Sequence, residues 1–209
     1  MQPQKSSLTV KKKIILSLVI FAVCYLTSLI IWVKIQDHYG KGLLSVASHL
    51  TAYVKDVEFK GIMAKDGNKY GALFNISRQD KRFLTFITFD FSLFTYNAPL
   101  TFAIMAALFL FIKKHLRAYT EVLIILVAIH IFYIFLSEAG RIATLLDQNN
   151  LESSSEVGLF IWQYLWGFID AMFIRFEPFL IGIYLFLRFS ESPVIPKVRR
   201  KNKKKGASV

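Results

Sequence analysis

Residues 14–33, IILSLVIFAVCYLTSLIIWV, are twenty positions without a charge. As a helix that run rises about 30 Å, the thickness of the hydrocarbon core of a bilayer. Three further apolar stretches follow. Residues 98–112 open on Asn97-Ala-Pro99, and Pro99 suits a first helical turn, where its missing N–H costs nothing. Residues 120–138 form the third. The fourth, 159–187, is too long for one clean span and is interrupted by Asp170, Arg175, Glu177 and Pro178. It reads as an interfacial approach over 159–169 and a span over 171–187, or as one long helix kinked near Pro178.

Between the first two stretches, over residues 34–97, the period changes. Leu43, Val46, Ala47, Leu50 and Val54 recur at helical spacing. Then Val57 and Phe59 alternate with polar residues, and Tyr70, Ala72, Phe74 and Ile76 do the same after a Lys65-Asp-Gly-Asn68 turn signal. A second turn at Ser77-Arg-Gln-Asp80 leads to a third strand over 82–91. The fold class is therefore a mainly α membrane protein: four transmembrane helices and a small α+β module, an amphipathic helix with a three-stranded antiparallel meander. Such a module is marginal alone and is expected to lean on the membrane surface or a partner. Its third strand is apolar on both faces. It is either covered on both sides or presents a partner-binding face, with Leu84, Phe86, Phe89 and Phe91 as the candidate contacts. Asn75-Ile-Ser77 matches a glycosylation sequon, a common chance match.

Charge fixes the orientation. The chain has 209 residues, is 55% hydrophobic, and still carries a formal charge of +12 from 26 Lys+Arg and 14 Asp+Glu. Fifteen of the basic residues fall in three segments: the tail 1–13, the connection 113–119 and the tail 188–209. The long loop holds nine basic residues and also six acids. The excess predicts both termini on the cytoplasmic side of an inner membrane, with 34–97 and 139–158 extracytoplasmic. A cleaved signal peptide is disfavoured, because the first apolar run is too long and no small-x-small site follows it. The polybasic run of Lys197, Arg199, Arg200, Lys201, Lys203, Lys204 and Lys205 suits anionic lipid headgroups. It has no interleaved aromatics, so no nucleic-acid partner is expected.

Polar residues inside apolar stretches each cost about 2.5–3.5 kcal/mol on insertion scales and need an account. The candidates are His130, Glu138, Arg141, Asp170, Arg175 and Glu177. His130, Tyr133, Ser137 and Arg141 share a helix face, and Glu138 can reach Arg141 at i, i+3. Gln163, Asp170, Glu177 and Tyr184 recur every seven residues. Arg175 is rotated about 200° from Glu177, so Glu138 on the neighbouring helix is its expected partner. By depth these charges converge at the outer leaflet. They form either an interhelical network that fixes register or a site for a headgroup, peptide or partner helix. Cys24, the single cysteine, shares a face with Ser17 and Ser28 and reads as packing. The four histidines are scattered, with no pair at metal-ligand spacing, and no cofactor is expected.

Together with Tyr96-Asn-Ala-Pro-Leu100, Glu138-Ala-Gly-Arg141, Gln163-Tyr-Leu-Trp-Gly-Phe-Ile169 and Glu177-Pro-Phe-Leu180, this layout resembles the small membrane proteins that accompany bacterial exosortases, the exosortase H-associated type. The resemblance spans most of the chain and implies an inner-membrane accessory of a protein-sorting system. It carries over no catalytic residues, since no exosortase Cys/Arg/His arrangement is present. The expected function is thus a non-enzymatic membrane accessory protein, with another membrane protein and anionic lipids as partners. The alternatives are an enzyme or transporter using the outer-leaflet charges, and a sensor acting through a partner.

Overall fold

The computed structural model describes residues 10–65, 69–78, 81–112, 115–151 and 156–189. Residues 1–9 and 190–209, including the polybasic run 197–205, lie outside the described residues, as do the turn centres 66–68 and 79–80, the basic pair Lys113 and Lys114, and residues 152–155.

The molecule is mostly helical, with one small antiparallel sheet. Helix α1 is Val10–Lys55, 46 residues, or about 69 Å of helix. It carries the first apolar run and the amphipathic stretch in one unbroken element. Strands β1 (Glu58–Ala64), β2 (Lys69–Arg78) and β3 (Lys81–Asp90) follow in the order β1-β2-β3. A short helix α2 (Phe91–Thr95) and α3 (Ala98–Leu108) come next. Helix α4 is His115–Gln148, 34 residues, so it continues through much of the segment expected to be a loop. The last stretch is α5 (Glu156–Phe168), a π-helical turn (Ile169–Ile174) and α6 (Arg175–Phe189). Among the described residues, four helical stretches are long and apolar enough to cross a membrane: Val10–Lys55, Phe91–Leu108, His115–Gln148 and Val157–Phe189.

The last of these is one continuous helix, as the kinked alternative had it. Pro178 explains the irregularity. Its ring removes the N–H that would reach the carbonyl of Ile174 and crowds that carbonyl, and the π-helical turn ends at Ile174. The freed carbonyl is not left bare: the side-chain amide of Asn97 donates to it. Asn97 sits at the start of α3, so one side chain both repairs a proline break and joins two helices.

Hydrogen bonds between helices give the bundle its directions. Ser17 Oγ donates to the carbonyl of Ala107 at 2.7 Å and Ser28 Oγ to that of Pro99 at 3.1 Å, so α1 and α3 run antiparallel. The shared face of Ser17 and Ser28 therefore packs on α3. Tyr39 meets His130 and Ser48 meets Glu138, so α1 and α4 run parallel. The topology is up-down-up-down.

The sheet does not stand alone. Its inward residues Ala72, Phe74, Ile76, Ile87 and Phe89 share one core with Leu43, Leu44 and Ala47 of α1 and with Ile134, Ala139, Ile142 and Leu146 of α4. A second core at the other end joins Trp32, Met105, Val122, Leu126 and Leu185. The module leans on the projecting ends of two long helices, which remedies the marginal size of three strands. Two contacts position it. Asp90 caps α2, accepting from Ser92 N at 3.1 Å, so the chain turns into a helix at Phe91 and that residue is not part of the strand. Phe91 is fully buried and lies against Gly40 of α1, where any Cβ would come within 2.3 Å of the ring. Only glycine permits that approach.

The third strand corrects one expectation. It is not covered on both sides. Ile87 and Phe89 are buried, whereas Leu84 is 64% exposed and Phe86 37% exposed. Of the four candidate partner contacts, Phe89 and Phe91 belong to the core, and only Leu84 and Phe86 face outward.

Candidate functional site

The six polar residues read from the sequence occupy separate places. His130 and Glu177 are brought together. His130 Nε2 and Glu177 Oε2 lie 3.0 Å apart, both side chains fully buried. Tyr39 Oη lies 2.9 Å from His130 Nδ1, and Thr101 Oγ1 donates to Glu177 Oε1 at 3.1 Å. The four side chains come from α1, α4, α6 and α3, so the chain Tyr39–His130–Glu177–Thr101 crosses the whole bundle. The phenol closes Nδ1, whereas His130 Nε2 and Glu177 Oε2 face each other at ion-pair distance without completing a hydrogen bond. Its upper side is sealed by rings. Phe94 packs edge-on to His130 at 5.9 Å, Phe91 packs on Phe94, and Tyr70 of β2 stacks on Phe91.

This order of hydroxyl, imidazole and carboxylate resembles a base relay. Its hydroxyl is a phenol, and His130 and Glu177 are wholly closed off. The geometry binds helices together and offers no reacting atom to a substrate.

Glu138 is placed elsewhere, and its expected partners are not its partners. It is fully buried, and its two oxygens accept from Ser48 Oγ at 2.7 Å and Thr51 Oγ1 at 2.9 Å. No salt bridge joins it to Arg141 or Arg175 among the described residues. Ser48 and Thr51 are one turn apart on α1 and grip the carboxylate from a single face. Arg175 is exposed and joins no salt bridge to Glu138 among the described residues. It follows directly on the π-helical turn. Asp170, inside that turn, is half-buried and lies within electrostatic reach of Tyr133. The charges therefore do not converge on one site.

Arg141 lies at a cleft. The guanidinium is 6.0 Å from the Phe89 ring centroid, at the edge of a cavity of about 500 Å³ between β3, α4 and α5. One wall is the stretch Thr85, Phe86 and Ile87 of β3; the opposite wall carries Trp162 and Trp166 of α5. Thr85, Ser137, Arg141, Thr144 and Gln163 supply the polar groups, and among the described residues Arg141 is the one ionisable side chain lining it. Lys55, from the end of α1, stands over the Trp162 ring at 4.5 Å. The cavity has the size and the mixed lining of a small-molecule site.

A further polar group lies at the opposite end. Glu121 accepts from Arg117 at 2.8 Å and from Tyr184 at 2.5 Å, with Arg188 at 3.3 Å. Sequence reading missed Glu121, although its i, i+4 spacing from Arg117 was a legible signal. It also missed Tyr39, Ser48, Thr51, Thr101 and Asn97, whose hydroxyls and amide carry no signal until their partners are known. Asn75, of the sequon, donates to Glu58 Oε2 at 3.0 Å. Among the described residues, no three His, Cys, Asp or Glu side chains come together as a metal-binding group.

No family model, curated protein or solved structure matches this chain.

Proposed function

We propose that this protein is a non-enzymatic integral membrane accessory protein of the inner membrane. It has four spans, both termini in the cytoplasm and the α+β module outside. The sequence resemblance adds an exosortase-type protein-sorting system as the process it serves. The reading rests on one contrast. His130, Glu138 and Glu177 are sealed inside the bundle, while the module presents an unburied apolar pair, Leu84 and Phe86, on the edge strand of its sheet. An edge strand has unpaired backbone groups and is a ready template for another chain. The membrane reading is supported by the outward side chains of α1, where Ile15, Leu18, Ile30 and Val33 are each more than 60% exposed. That much unshielded apolar surface suits lipid rather than water.

The test is photo-crosslinking from Leu84 and Phe86 in native membranes, followed by detergent extraction. A discrete partner band that disappears in Leu84→Lys supports the reading. A chain that is only ever recovered alone and monomeric overturns it. Topology is checked by reporter fusions: those after Arg117 and at the C-terminus report cytoplasmic, and one near Lys69 reports exported. Neutralising His130, Glu138 or Glu177 reduces accumulation of the protein. Loss of function at full accumulation would instead favour an enzyme or transporter.

A further inference from the structure

The cleft at Arg141 straddles a chemical boundary. The apolar stretch of α4 ends near Ser137, and Arg141 lies one turn beyond it. The lining of the cleft mixes apolar Leu136 and Ile87 with polar Arg141 and Thr144. Two tryptophans stand on the α5 side, the residue type that settles where hydrocarbon meets headgroup. A purely aqueous ligand leaves the apolar part empty, and a purely apolar one leaves the guanidinium with the field of the buried Glu138 carboxylate but no ion pair. Arg141 is exposed and lies in no ion pair among the described residues, and no carboxylate lines the cavity to compete for it. A guanidinium matches a phosphate oxygen pair with two parallel hydrogen bonds, and it gains most from a headgroup whose phosphate charge is not already neutralised by a choline cation.

We infer that this cleft is a binding site for one anionic phospholipid, its phosphate on Arg141 and the start of an acyl chain between β3 and α4. The site rests on the four-span reading, which places the end of the α4 apolar stretch at the headgroup level. Its occupant would lie beside Phe86, so lipid and edge strand would present one composite surface.

The full chain offers its own probe. It has three tryptophans, and two of them line the cleft. In a Trp32→Phe background, fluorescence reports Trp162 and Trp166 alone. The protein is reconstituted in phosphatidylcholine vesicles containing equal small fractions of acyl-brominated phosphatidylglycerol or acyl-brominated phosphatidylcholine. The expected result is quenching by the anionic lipid at about fivefold lower mole fraction than by the zwitterionic one, the preference of one favourable basic contact. Arg141→Gln removes that preference. Thr144→Phe, which fills the cavity without touching charge, lowers it. Arg82→Gln, an exposed basic residue of the same module outside the cavity, leaves it intact.

Equal quenching by the two lipids overturns the site. So does an equal loss in Arg82→Gln, which would assign the preference to diffuse surface charge. Soluble glycerol phosphate in millimolar excess is expected to change nothing. If it abolishes the preference, the site takes a free phosphate and not a lipid. Retention of the protein in carbonate-washed membranes tests the four-span reading separately. A retained protein with no lipid preference sinks the site alone.

Discussion

Glu177 and Arg141 belong to the same bundle but live under opposite conditions. Glu177 is wholly buried, with Oε1 accepting from Thr101 and Oε2 3.0 Å from His130 Nε2 without completing a hydrogen bond. Arg141 is exposed at the rim of an open cavity and packs loosely over Phe89. Both were visible in the sequence as charges in or beside apolar stretches, and cost alone could not tell them apart. The difference teaches that a charge is committed to structure when it is wholly buried against side chains of other helices and water is kept out. It is available for a ligand when one side of its surroundings stays open.

The contrast breaks first at Glu177. Replacing one partner of a buried pair leaves the other uncompensated, so Glu177→Leu is expected to cost about 3–5 kcal/mol, read by denaturant unfolding in micelles. The double replacement His130→Leu with Glu177→Leu is expected to recover most of that, since an apolar pair fills the site without orphaned charge. A single-variant loss below about 1 kcal/mol would mean that the centre is wetter than its burial implies.

Next in size is the grip on Glu138. Ser48→Ala and Thr51→Val each remove one hydrogen bond to a buried carboxylate, and each is expected to lower stability by about 1–3 kcal/mol. Measured together they should cost more than either alone, because both serve one acceptor group and their effects couple. A neutral Ser48→Ala would instead place Glu138 on the available side of the comparison.

At the cleft, stability should hardly move. Arg141→Gln is expected to stay within about 0.5 kcal/mol of the parent in the same unfolding assay, while its lipid preference is lost. A large loss of stability would make Arg141 structural and erase the contrast.

The smallest effect is expected at Glu58 on the exposed strand β1. The hydrogen bond from Lys60, then that from Asn75, holds its carboxyl below the usual carboxylate range. A lowered folded-state value means that ionisation stabilises the fold above the unfolded-state pKa, a contribution lost as pH falls through the folded value. Protection factors of the β1–β2 amides, with exchange referred to the intrinsic rate at each pH, should therefore fall slightly on acidification, and Glu58→Gln should flatten that response. An unchanged slope in the variant would show that Glu58 does not couple to the strand pair.

The difference between the two regions also shows why the site was less legible than the fold. Glu138 and Arg141 sit three apart on one helix, and spacing alone invites a pair. Ser48 and Thr51, 87 to 90 residues earlier, are closer to the carboxylate oxygens than the arginine is. Such partners cannot be ranked from a linear pattern. The repeat Gln163, Asp170, Glu177 shows a second limit: a regular 3.6-residue period was applied across a segment that locally winds as a π-helix.

By itself the sequence determined the four apolar helices and the three-stranded antiparallel sheet. It also determined the inward set Tyr70, Ala72, Phe74 and Ile76, because period and length follow from local geometry and solvent. The tertiary structure alone decided that α1 runs unbroken into the module and that the sheet completes its core on α1 and α4. It alone joined His130 to Glu177 and left Arg141 at an open cleft. Those outcomes depend on which helix faces meet, and side chains far apart in sequence become partners only when packing brings their helices within a few ångströms.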